Sequence, residues 1–77
     1  MNKYIATFHS HFGALSYYKA LSTQGIVAKL SPVPRKVSSS CGTCVYYERD
    51  SAVDLDGCEL DCVYIEVNNE HECTLRK

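Results

Sequence analysis

Residues 3–30 read KYIATFHSHFGALSYYKALSTQGIVAKL, and their pattern decides the fold. In residues 3–8, KYIATF, Tyr4, Ala6 and Phe8 point one way and Ile5 and Thr7 the other, which is the period of a strand. Ser10 can accept from the amides that follow it, as a helix N-cap does. From His11 to about Thr23, Phe12, Leu15, Tyr18 and Leu21 recur at helical spacing, joined by Ala14 and Tyr17. Gly25 supplies the left-handed stop. Ile26 to Leu30 reads as a second strand, and a right-handed crossover sets it parallel to the first in one sheet.

Outward from this unit, residues 31–40 (SPVPRKVSSS) read as a loop: prolines lack a backbone donor and serines compete for local hydrogen bonds. Cys44 to Glu48 is a third strand rich in β-formers. Residues 50–61 are acidic and read as loop, with room for one helical turn. Cys62 to Val67 is a fourth strand, Asn68-Asn69 a turn, and Glu72 to Arg76 a returning fifth. The expectation is one α+β domain over residues 1–77. It has a βαβ start, four to five strands and one main helix on one face, in a ferredoxin-like or split βαβ arrangement. The face without a helix needs cover from loops or a second chain. The six tyrosines, apolar in the ring and polar at the tip, suit such a half-covered face or a homodimer contact.

Composition narrows the function. A net charge of −1 disfavours a nucleic-acid binder driven by bulk charge. No apolar run reaches the ~18 residues of a membrane span. The opening MNKYIATFHS lacks the apolar stretch of a signal peptide, so the expected location is cytoplasmic, where thiols stay reduced. Five cysteines in 77 residues cannot all pair internally, so at least one is free, binds metal or pairs elsewhere. Charge is also divided along the chain. Every carboxylate lies at or beyond Glu48, whereas Lys3, Lys19, Lys29, Arg35 and Lys36 precede it. That division reads either as complementary faces of one fold or as positive potential around something anionic.

The densest chemistry is in residues 34–44, PRKVSSSCGTC. Arg35 and Lys36 stand close in sequence to Cys41, and nearby cations favour the reactive thiolate. The serines supply donors to a sulfur anion. Gly42 leaves the backbone beside Cys41 unhindered and able to turn left-handed. Cys41 is therefore the candidate nucleophile, with Arg35, Gly42 and Cys44 as its site. Cys41 and Cys44 form a C-x-x-C, but Val45, Tyr46 and Tyr47 follow it where a thioredoxin site has a helix. Cys44 remains a candidate resolving thiol. Cys58 and Cys62 make a second pair, so Cys41, Cys44, Cys58 and Cys62 form an alternative thiolate set for zinc or an iron–sulfur cluster. His71 and Cys73 are spare ligands. The competing reading treats Cys58, Cys62 and Cys73 as small packed apolar residues. His9 and His11 lie where the first strand meets the helix, at the end of the sheet from which the Cys41 loop also emerges.

The run YIATFHSHFGALSYYKALSTQGIVAKLSPVPRKVSSSCGTCVYYE resembles the selenium/sulfur carrier-like family of small bacterial domains, over about residues 3–48. The most specific part is the strand–helix opening followed by Pro34-Arg35, the serines and Cys41-Gly42. The resemblance implies an α+β domain whose single key cysteine, matching Cys41, holds sulfur or selenium as a persulfide or selenopersulfide. It also implies sulfur or selenium donor and acceptor proteins as partners, no cofactor, and a carrier role more than an autonomous enzyme. Family members typically continue with an amphipathic helix and a last strand, whereas residues 49–77 read here as strands and loop. Cys44, Cys58, Cys62 and Cys73 have no family counterpart, which keeps three other readings open. These are the metal site, a thiol–disulfide switch using Cys41, and a tyrosine-faced interaction module.

Overall fold

The computed structural model describes residues 2–35, 37, 42–53, 55 and 57–76. The elements are β1 (Asn2–Phe8), α1 (His11–Thr23), β2 (Ala28–Pro32), β3 (Thr43–Arg49), β4 (Leu60–Val67) and β5 (Glu70–Arg76). They build one five-stranded sheet in the order β2-β3-β1-β4-β5, with every neighbouring pair antiparallel. Strands β1 and β2 run in the same direction, as expected of the crossover, but they are not neighbours because β3 lies between them. This is the split βαβ arrangement. A ferredoxin-like sheet would place a second helix between β3 and β4. The described residues between these strands form turns and bends, so the helical turn allowed for residues 50–61 does not form there.

Local chemistry explains the helix ends. Ser10 is extended and its Oγ accepts from the Gly13 amide at 3.1 Å, fixing the first turn. At the other end the Ile26 amide donates to Leu21 O and the Gly25 amide to Ser22 O, both at 3.0 Å, with Gly25 at φ +78°. This is a Schellman closure, and its apolar pair is the buried Ile26 and Leu21. Ile26 therefore belongs to the helix stop. Strand β2 starts at Ala28, two residues later than expected, and Val27 is left 89% exposed.

The helix packs on the sheet through Gly13, Ala14, Tyr17 and Leu21. Phe12 and Leu15 turn outward instead, with Phe12 72% exposed, and Tyr18 is half-buried at the margin of the core. Close approach selects the Gly13 stripe. A Cβ on Gly13 would overlap the Cys58 carbonyl, so glycine lets the 57–59 turn lie against the helix. Beneath the helix, Tyr4, Ala6, Phe8, Val45, Tyr47 and Val63 form the main core. Each large apolar side chain fully buried there contributes about 1.5–3 kcal/mol. The Tyr17 hydroxyl donates to Val53 O at 2.6 Å and shares a 3.1 Å hydrogen bond with the Tyr47 hydroxyl. The Tyr47 hydroxyl accepts from the Val53 amide at 3.0 Å, so these buried phenols are satisfied.

The opposite face carries a second cluster of Ile5, Val37 and Cys44, flanked by Val33, Tyr46 and Tyr64. Val37, from the loop between β2 and β3, is only 5% exposed and covers part of this face. The tyrosines thus divide between the faces. Tyr4, Tyr17 and Tyr47 are buried on the helix side, and Tyr46 and Tyr64 are half-buried on the other. The charge division of the sequence is also mixed by the sheet, because Lys3 sits in register between Glu48 on β3 and Glu66 on β4. Among the described residues no helix is long and apolar enough to cross a membrane.

Candidate functional site

Strands β1 and β2 end, and β3 and β4 begin, at the same edge of the sheet. The start of α1 lies there too, so residues 9–11, 32–33, 42–44 and 59–62 gather in one region. The Val33 amide donates to Gly42 O at 3.1 Å and so closes the neck of the loop that contains Cys41. Gly42 is exposed at φ +74°, a left-handed conformation that an L side chain rarely adopts. Within the loop the Val37 amide donates to Pro34 O at 3.0 Å, and Arg35 is exposed in that turn. Cys41 itself lies outside the described residues, as do Lys36 and Ser38 to Ser40.

Four contacts hold this end together. His11 Nδ1 lies 3.0 Å from Thr43 Oγ1, linking the first helical residue to the first residue of β3. The Ser10 hydroxyl donates to Glu59, whose carbonyl accepts from the His9 amide at 2.9 Å. His9 Nε2 lies 3.7 Å from Asp61 Oδ1. The first turn of α1 contains no acidic residue, so the positive end of its dipole is not neutralised from within the helix.

The other cysteines fall on different sides of the sheet. Cys58 belongs to the helix-side core, where burial pushes its thiol pKa up. Cys44 is fully buried in the cluster on the opposite face, with Sγ 3.7 Å from Pro32 O. Cys44 and Cys62 are both register partners of Thr7, one on each side of β1. Thr7 Oγ1 donates to Cys62 O at 3.3 Å. Of the four cysteines proposed as an alternative metal set, Cys44 and Cys58 thus pack in separate clusters. Among the described residues no group of three His, Cys, Asp or Glu side chains comes together for a metal. Cys58, Cys62 and Cys73 are free thiols, and of these Cys73 is exposed.

Sequence reasoning placed His9, His11 and the Cys41 loop at one end of the sheet. It missed Glu59 and Thr43. Glu59 is a non-glycine residue at φ +53°, and nothing in its own sequence neighbourhood marks it as an anchor for Ser10. Thr43 had a readable signal, a hydroxyl inside the C-x-x-C.

"Uncharacterized protein YtiA" of Escherichia coli (strain K12) is 33% identical over 46 residues, which is 60% of this chain and 54% of that protein. The chain thus spans about half the length of this curated relative. No solved structure matches it. A family model described as "Putative Se/S carrier protein-like" matches residues 3–58. That match takes in nearly all of β1, then α1, β2, the Cys41 loop, β3 and most of the turn that packs on Gly13. By this match, the chain belongs to the Se/S carrier protein-like family.

Proposed function

We propose that this protein carries sulfur or selenium on Cys41 and passes it between partner proteins. The observation that supports this most is the family match over residues 3–58, which contains the whole Cys41 loop. The geometry around the loop is compatible with it. The Val33–Gly42 hydrogen bond closes the loop neck, and His11–Thr43 ties that neck to the start of the helix.

In the loading step the Cys41 thiolate attacks the terminal sulfur of a donor persulfide. The new bond joins that sulfur to Cys41, the donor's sulfur–sulfur bond breaks, and the donor leaves as a thiolate. Unloading repeats the exchange with an acceptor thiolate as nucleophile and Cys41 as leaving group. A selenium atom follows the same path as a selenopersulfide. No electrons enter or leave the pair, so the transfer needs no cofactor. Arg35 is the nearest described cation in sequence and favours the anionic sulfur through charge-assisted contacts. Gly42 keeps the approach beside Cys41 open. Cys44, buried against Pro32, serves the packing of β3 in this reading.

The test is the sulfane sulfur retained after exposure to a low-molecular-weight persulfide and gel filtration. The unchanged chain should retain about one atom per molecule and the Cys41→Ser chain much less. Equal retention by both chains would rule the proposal out.

A further inference from the structure

Two cysteines lie beyond the family match and outside the carrier reading, one on each strand of the β4–β5 hairpin. Cys62 is the register partner of Arg76, and Tyr64 that of Cys73, with a bulge between these pairs. Register partners share a face, so Cys62, Tyr64, Cys73 and Arg76 lie together on one face of the hairpin. Cys62 interacts electrostatically with Cys73, as Tyr64 does with both cysteines. The Arg76 guanidinium interacts with both thiols, and also with Tyr64 and Asp61. The two cysteines differ in access. Cys62 is 1% exposed, whereas Cys73 is exposed, with Sγ 3.6 Å from Leu75 O.

We propose that Cys62 and Cys73 form a second reactive site, a cross-strand dithiol that exchanges with low-molecular-weight disulfides and closes to a Cys62–Cys73 bond. Accessibility sets the order. The Cys73 thiolate attacks one sulfur of the disulfide, forming a mixed disulfide and releasing one small thiolate. The Cys62 thiolate then attacks the Cys73 sulfur, forming the internal bond and releasing the second. The protein loses two protons and two electrons, and the small disulfide is reduced to two thiols. Arg76, the register partner of Cys62, stabilises the anion electrostatically in each step. Burial, Asp61 and Cys73 raise the Cys62 thiol pKa and Arg76 acts against that rise, so the exposed Cys73 attacks first and Cys62 reacts only in the intramolecular step.

The experiment uses the full chain carrying Cys41→Ser, which separates this site from the carrier cysteine. The protein is treated with oxidised glutathione, free thiols are blocked, and peptides are mapped by mass spectrometry. The expected product is a Cys62–Cys73 linked peptide with no retained glutathione, reopened by excess reduced glutathione. With Cys62→Ala added, glutathione should stay trapped on Cys73. With the surface change Cys73→Ser instead, Cys62 should remain a free thiol. Arg76→Gln should slow closure about two- to fivefold, with the difference shrinking at high salt. Glutathione retained on Cys73 while Cys62 is present, or Cys73 linked to any other cysteine, would overturn the proposal.

Discussion

His11 Nδ1 and Thr43 Oγ1 lie 3.0 Å apart, so one hydrogen bond connects the start of the helix to the strand that follows the Cys41 loop. Both groups are solvent-accessible, and a bond of this kind contributes about 0.5–1.5 kcal/mol at most. Its larger effect is on position. His11→Ala should leave the fold intact by circular dichroism and slow sulfur loading about three- to tenfold, the range set by losing one orienting bond. His11→Asn, which retains a polar group near Thr43, should recover part of the rate. Single-turnover loading kinetics with a persulfide donor make the comparison.

Gly13 tests the packing of the 57–59 turn on the helix. Alanine normally improves a helix interior by about 1 kcal/mol over glycine. Here its Cβ would meet the Cys58 carbonyl, a backbone group that cannot move alone. Gly13→Ala should therefore destabilise the protein by about 1–3 kcal/mol, as overpacking does. Urea unfolding reads this as a lower midpoint with an unchanged slope.

Ser10 has two roles, accepting from the Gly13 amide and donating to Glu59. Ser10→Ala removes both and should cost about 1–2 kcal/mol. Ser10→Asp restores the cap acceptor but sets a carboxylate against Glu59. It should stay less stable than serine at neutral pH and regain ground in mild acid as one carboxylate is protonated. Thermal unfolding at pH 7 and at pH 4.5 separates the two effects.

Alkaline stability follows from buried acids. Burial raises the Tyr47 pKa above its usual value, as it does for Tyr46 and Tyr64 and for the Cys58 and Cys62 thiols. For each group the unfolded chain loses its proton first. The stability tied to the neutral form is thus complete below the unfolded pKa and is lost as pH rises through the folded one. Urea midpoints should be level through neutrality and fall from about pH 9, thiols first and phenols after, in line with ordinary values of about 8.5 and 10. Tyr47→Phe should flatten the upper part of that fall. It should also lower stability at pH 7 by about 1–3 kcal/mol, because the Val53 amide loses its acceptor.

Much of the architecture was readable because local signals agreed. The alternation of residues 3–8, the Ser10 cap and the Gly25 stop fixed β1 and the limits of α1. The buried face of the helix was not readable in the same way. Two apolar stripes compete along residues 12–21, and the choice between them depends on Gly13 meeting Cys58, a contact between positions 45 residues apart. Ile26 looks like a strand residue by type, but the helix stop uses it as the apolar partner of Leu21. The placement of β3 between β1 and β2 depends on long-range pairing that no local pattern records.

The candidate site divides in the same manner. The gathering of His11 and the Cys41 loop at one end follows from strand direction alone. Val37 reaching back to cover the face opposite the helix does not, since nothing in SPVPRKVSSS distinguishes a buried valine from an exposed one. The separation of Cys58 from Cys44 likewise depends on which side of the sheet each segment passes.

The most direct test of the central claim is peptide mapping after brief exposure of the unchanged, reduced chain to a substoichiometric persulfide donor. With all five cysteines present, the added sulfur atom should appear first on the Cys41 peptide and should leave it when an acceptor thiol is supplied. First appearance on Cys73 or another cysteine, with the Cys41 peptide unmodified, would contradict the account.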